Sequence, residues 1–215
     1  GGVTGGGFAA RGRMIVSGGE DSTLRVFCPK KGVLLHSLYD ERNAHGDAIT
    51  ALATHPTESV CVSGDRSGRV VVWNVEQGKV KVVSRLPSDL SAGHTASVEA
   101  ISFSKVMTGM VATGSLDGTL RLYDLGSGME RAMCLHGEEG VTTVVWSTRV
   151  PMVASGGDRG AIKVWSGLDG SLLKSFRGHE QSVLGMCFSR DGSLLLSASD
   201  DNTARAFSVA EKPLH

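Results

Sequence analysis

Hydrophobic and polar residues alternate along this chain in short runs, and small clusters of Gly, Asp, Asn and Ser separate the runs. Period-two alternation interrupted by turn formers predicts half-buried antiparallel strands joined by tight turns. The stretch from Val98 shows the pattern: VEAISFS alternates, GMVATGS and TLRLYDL follow, and MERAMCL adds a fourth strand after a Gly-Ser-Gly turn. The arrangement recurs. SGGEDSTLRVF from Ser17, SGDRSGRVVVW from Ser63, TGSLDGTLRLY from Thr113, SGGDRGAIKVW from Ser155 and SASDDNTARAF from Ser197 share one template. Each opens on Ser or Thr and closes ten positions later on an aromatic residue: Phe27, Trp73, Tyr123, Trp165 or Phe207. Successive copies are offset by 46, 50, 42 and 42 residues.

Four strands in roughly 43 residues is the content of one β-propeller blade. The chain therefore reads as all-β, with about five four-stranded antiparallel blades over residues 1–41, 42–90, 91–135, 136–177 and 178–215. The fifth stops shortly after its third strand, which predicts 19 strands and an unpaired apolar edge along TARAFSV. Such an edge is an aggregation hazard. The expectation is one part of a longer array, with upstream blades of the same polypeptide completing it.

Composition narrows the function. The 215 residues hold 29 glycines, as a turn-rich β protein requires, and 22 basic against 22 acidic side chains for a formal net charge of +0. Without a basic excess there is no counterion-release grip on nucleic acid. No apolar run approaches a membrane span, and nothing at the start resembles a signal peptide, so a cytoplasmic protein is expected. Cys28, Cys61, Cys134 and Cys187 are scattered without a Cys-x-x-Cys pair, and the histidines have no metal-ligand spacing, so neither a metal nor a cofactor is expected. GGVTGGG near the start lacks the Lys-Ser/Thr of a phosphate loop and reads as a bulged inner strand. Ser, His and Asp recur in unit after unit. Catalysis needs a single preorganised site, so residues repeated at equivalent positions serve each unit's fold, and no enzyme is expected.

A further marker opens several units: AHGDAIT at His45, AGHTASV at His94 and RGHEQSV at His179. Together with the closing aromatic, these residues resemble the WD-repeat β-propeller family over essentially the whole chain. The resemblance implies that the chain is the C-terminal part of a seven- or eight-bladed ring, with a hydrogen-bonded tetrad of His, Asp, Ser/Thr and Trp in each blade. It assigns one set to His94, Asp117, Thr113 and Tyr123, and another to His179, Asp201, Ser197 and Phe207. The second and fourth units depart from the pattern, with Ser67 and Arg159 where the family has Asp, Asp65 and Asp158 displaced toward the N-terminus, and His136 preceding its glycine. Those two blades are expected to be held mainly by packing.

Loop positions divide the charge between the two rims of such a fold. On one rim, called the top, stand Glu20, Asp40, Glu41, Asp47, Asp65, Glu138, Glu139, Asp158, Glu180 and Asp200, with Arg66 and Arg159 among the opposing cations and Leu116 as the one apolar residue at a turn. The other rim collects Arg11, Arg13, Lys30, Lys31, Lys105, Arg149 and Arg190. An acidic face attracts a cationic partner. Below the level of the repeat, SVEAISFSKVMTGMVATGSLDGTLRLYDL and the closing unit with Phe in place of Trp are similar to the angio-associated migratory cell protein family. That resemblance implies a chaperone for a nascent, basic large-subunit ribosomal protein, the role of fungal members, held on the acidic top. The alternative is a general scaffold in a signalling or trafficking complex.

Overall fold

The computed structural model describes residues 2–39, 45–83 and 93–210, and no helix occurs among them. Strands follow one another as antiparallel meanders, each pairing with its neighbour in sequence. The first sheet holds β1 (Val3–Ala9), β2 (Met14–Gly19), β3 (Leu24–Cys28) and β4 (Val33–Leu38). The second holds β5 (Ile49–Thr54), β6 (Val60–Asp65), β7 (Val70–Asn74) and β8 (Lys79–Val83). β9 (Val98–Phe103), β10 (Met110–Ser115), β11 (Thr119–Asp124) and β12 (Met129–Leu135) make the third. β13 (Val141–Trp146), β14 (Met152–Gly157), β15 (Ile162–Ser166) and β16 (Leu172–Phe176) make the fourth. Among the described residues the fifth has three strands, β17 (Val183–Phe188), β18 (Leu194–Ser199) and β19 (Ala204–Ser208).

The chain divides into two compact units, Gly1–Phe103 and Ser104–His215. In the N-terminal unit the core joins Met14, Val16, Leu24 and Val26 of the first sheet to Ile49, Cys61, Val71 and Trp73 of the second. Burial of these side chains, at about 25 cal/mol per Å² of apolar surface, is the main force holding the sheets together. In the C-terminal unit Ile162, Val164, Val183 and Leu195 are buried with Phe188 and Phe207 against them, and the Phe176 and Phe207 rings stack at 4.8 Å.

A repeated joint sets one sheet on the next. The pairing of β1 with β2, β5 with β6, β13 with β14 and β17 with β18 slips after the first residue, a β-bulge that leaves the second residue outside the ladder. Where that residue is Thr, its hydroxyl reaches the carbonyl of the following sheet's first residue: Thr4 to Ile49 at 2.5 Å, Thr50 to Val98 at 2.6 Å, Thr142 to Val183 at 2.7 Å. The same first residues press on a glycine in each second strand. A β-carbon on Gly64 would lie 2.5 Å from Val98 Cγ1, and one on Gly156 2.8 Å from Val183 Cβ, so only glycine admits the neighbour. GGVTGGG forms β1 with its bulge between Val3 and Gly5.

Candidate functional site

The turn between the second and third strand of each sheet poses one problem. Six residues after the template Ser or Thr, a backbone N–H points into the turn and needs an acceptor. In the first, third and fifth sheets an Asp two residues earlier supplies it: Asp21 to Thr23 N–H at 3.2 Å, Asp117 to Thr119 N–H at 2.9 Å, Asp201 to Thr203 N–H at 2.9 Å. The second sheet uses Asp65, four residues earlier, which accepts from the N–H of Arg69 at 2.9 Å and of Ser67 at 2.9 Å. In the fourth, Glu139 reaches in from the loop before β13 and accepts from Ala161 N–H at 3.1 Å. Five equivalent donors are thus met by carboxylates from three different sequence positions.

In the second and fifth sheets an imidazole ties the preceding loop to this turn. In the second sheet His45 Nδ1 lies 2.7 Å from Asp65 Oδ2 and its Nε2 2.6 Å from Ser63 Oγ, while Trp73 Nε1–H donates to the same Oγ at 2.7 Å. Because the indole fills one acceptor site of Ser63, the serine hydroxyl donates to Nε2 and the Nδ1–H donates to Asp65. The complete His, Asp, Ser, Trp set therefore stands in the second sheet. Burial by itself would raise the Asp65 carboxyl, but the bonds from His45, Ser67 and Arg69 outweigh it and hold its pKa below the usual carboxylate range.

In the fifth sheet His179 Nδ1 is 2.8 Å from Asp201 Oδ2 and Nε2 is 2.7 Å from Ser197 Oγ. Phe207, with no donor, meets the imidazole edge-on at 6.5 Å between ring centres. Asp201 is held well below the ordinary carboxylate range by the Thr203 hydroxyl first and by His179 and backbone N–H groups after it. Of the set assigned around Asp117, His94 belongs to the N-terminal unit, where it is buried and its carbonyl packs over Gly68. Thr113, Asp117 and Tyr123 belong to the C-terminal unit, Thr113 and Tyr123 both buried.

Two expectations are corrected. The second sheet is not held mainly by packing, since it carries the bond chain just described, and the fourth has its carboxylate in Glu139. Asp65 and Glu139 also leave the rim: the Asp65 side chain is 0% exposed, and the Glu139 carboxylate is half-buried and occupied by Ala161 N–H. Asp65 ends β6, a strand buried along its whole length, and alternation puts it on the same side as Ser63. Asp40 and Glu41 lie outside the described residues.

Of the other rim residues, Glu20 and Arg66 are exposed in the N-terminal unit, Glu20 accepting from Gly2 N–H, and Asp47 is half-buried and caps Ala48 N–H at 2.7 Å. In the C-terminal unit Leu116, Glu138, Asp158, Arg159, Glu180 and Asp200 are exposed. Backbone bonds set their places: Asp158 N–H donates to Gly140 O and Asp200 N–H to Ser182 O. Leu116 and Asp158 converge on Gly140, where a β-carbon would be 2.9 Å from Leu116 Cδ2 and 3.3 Å from Asp158 Oδ2. The result is an exposed apolar side chain beside a carboxylate, each on a hydrogen-bonded turn.

Among the described residues no group of three His, Cys, Asp or Glu could hold a metal ion, and no helix is long and apolar enough to cross a membrane. All four cysteines are free thiols, and burial, with Asp169 and Glu130 nearby, pushes Cys134 up to about 11.

A family described as "WD domain, G-beta repeat" matches residues 1–28, 32–74, 86–124, 130–166 and 170–208. The angio-associated migratory cell protein of Pongo abelii is 32% identical over 206 residues, 92% of this chain and 47% of that protein, and the Homo sapiens protein is 31% identical over the same shares. Autophagy-related protein 16 of Arabidopsis thaliana is 28% identical over 90% of this chain and 36% of its own length. Among solved structures, the computationally designed Ika8 protein superposes with a TM-score of 0.81 at 30% identity, over 96% of this chain and 58% of that one. The chain spans about half the length of the migratory cell proteins it matches.

Proposed function

From the premise that the chain belongs to the WD domain, G-beta repeat family, as a partial β-propeller whose repeats serve as a protein-interaction scaffold, we propose that its C-terminal unit holds a basic polypeptide segment on the exposed turns before and within the fourth and fifth sheets. The observation that carries this reading is the convergence of Leu116 and Asp158 on Gly140, with Glu138, Glu180 and Asp200 exposed on neighbouring turns. A lysine or arginine side chain is amphipathic: its methylene stem packs on Leu116 while its charged head meets a carboxylate. Arg159 on the same turn breaks the acidic field, so the partner's charges must be placed as well as plentiful.

The client is a nascent, basic large-subunit ribosomal protein, shielded in the cytoplasm until assembly. This step rests on likeness to the angio-associated migratory cell proteins. A role as a general scaffold in a signalling or trafficking complex is the competing reading. Calorimetry of the full-length protein with a lysine-rich segment tests the first: reversing Glu138, Asp158 and Asp200 to Lys should weaken binding at least about tenfold, and added salt should slow association. Reversing Lys30 and Lys31 should leave it unchanged. Binding indifferent to both salt and the acidic residues would leave the scaffold reading in place.

A further inference from the structure

His136 opens the loop that delivers Glu139. Its side chain is buried, with 3% of the residue exposed, and neither ring nitrogen has a hydrogen-bond partner. Two other buried imidazoles that open a unit, His45 and His179, each have both nitrogens bonded, one to a carboxylate and one to a serine. In the fourth sheet those partners are elsewhere. The Ser155 hydroxyl accepts from Trp165 Nε1 at 2.8 Å, and Gly157 stands where the second sheet has Asp65. The space that an Asp side chain would take on Gly157 is filled by two groups, the Glu139 carboxylate and the His136 ring, whose Cε1 is 2.9 Å from where a β-carbon would sit.

The charges around the ring are named by the elements that pack there. β15 contributes Lys163, whose ammonium lies 5.7 Å over the Trp165 ring; the β14–β15 turn contributes Asp158; and the loop itself contributes Glu139. The β10–β11 turn meets the loop through backbone, with His136 N–H donating to Gly118 O at 2.8 Å. A neutral imidazole is tolerated in this setting. An imidazolium would have only the Ser155 backbone and the Glu139 carboxylate beside it, and that carboxylate already accepts from Ala161 N–H, so the charged ring is costly in a buried site unless Glu139 turns to it.

We propose that residues 136–140 form a proton-operated latch: when His136 takes up a proton, the Glu139 carboxylate turns from Ala161 N–H to the imidazolium, and the turn after β14 is released. The proton comes from solvent and stays on the ring; no bond other than the hydrogen bond changes. The moving part bears directly on the rim, because the loop carries Glu138 and its Gly140 carbonyl receives the Asp158 N–H. Burial, and Lys163 after it, lower the His136 pKa, so the latch opens in mild acid below the ordinary histidine range.

Amide hydrogen exchange read by NMR on the full chain tests this device independently of any partner. From about pH 7.5 to about pH 5.5, after correction for intrinsic chemistry, exchange at Ala161 should quicken about tenfold while Arg69 and Thr203 hold steady. The change should follow the titration of the His136 Cε1 proton and vanish in His136→Gln. Should that variant fail to fold, Glu139→Gln gives a second reading: with a neutral acceptor in place, His136 should titrate lower and exchange at Ala161 should lose its pH dependence. Exchange at Ala161 that ignores pH in the native chain, or the same acid response in either variant, overturns the latch.

Discussion

In the second sheet a buried chain runs from Trp73 through Ser63 and His45 to Asp65, every member bonded and none open to water. In the fourth, the indole and serine keep their bond, but the carboxylate arrives on a half-buried loop and the imidazole bonds to nothing. Both arrangements satisfy the same backbone donor. They differ in what they ask of the chain: the second demands one residue on one strand in a fixed alternation, and the fourth only that a flexible carboxylate be within reach. Buried, fully satisfied networks are stiff and lose heavily when one member is removed, whereas a half-exposed bond to a single N–H has modest worth.

Removing the carboxylates should show the contrast most strongly. Asp65→Ala strands His45, two backbone donors and the Ser67 hydroxyl, and should cost about 3–5 kcal/mol in chemical denaturation, the range for breaking a buried pair. Glu139→Ala strands one N–H near solvent and should cost about 1 kcal/mol. Equal losses would erase the distinction between the two sheets.

Acid separates them next. His136 has a lowered folded pKa, so folding favours its neutral form; that stability is complete above the unfolded value of about 6.5 and declines as pH falls below it. Asp65 also has a lowered pKa, but as an acid its contribution is complete above the unfolded value of about 3.9 and is lost as pH falls through the folded value. Denaturation midpoints measured across this range should therefore step down twice, and His136→Phe should remove only the upper step.

The smallest effect belongs to the threonine joints. Thr50→Val and Thr142→Val should each cost about 1 kcal/mol in chemical denaturation, the net value of one hydrogen bond. Leu184→Val, at the equivalent place in a sheet without that bond, should stay within about 0.5 kcal/mol.

The repeat was legible because its Ser/Thr and aromatic ends hold the same register in all five copies, and strands between them alternate as half-buried strands must. Matching carboxylates by position was less secure. The turn requires an acceptor at a point in space, and Asp65 and Glu139 reach that point from places that a fixed template does not mark. A signal was nevertheless present: Asp65 shares the parity of Ser63, which faces inward, and Asp-x-Thr recurs at Asp21, Asp117 and Asp201 wherever the turn caps itself. His136 had no such signal, since its burial follows from the Gly118 turn that the loop drapes over, a contact between residues far apart in the repeat.

The joint between sheets bears on how such a chain can be cut and recombined. Up to the fifth sheet, each second strand offers glycine to the incoming valine or isoleucine: Gly18, Gly64, Gly114 and Gly156. The fifth has Ala198 in that place, and Leu184, 61% exposed, where Thr4, Thr50 and Thr142 reach for the next carbonyl. A repeat transplanted from the middle of this chain onto its fifth sheet would bring a β-branched residue against the Ala198 methyl and find no hydroxyl to receive it. Repeats that look interchangeable in sequence thus carry addresses in their joints: the glycine is kept at all four internal joints, while the third sheet has Glu99 in the threonine's place and still meets Val141 of the fourth through Gly114.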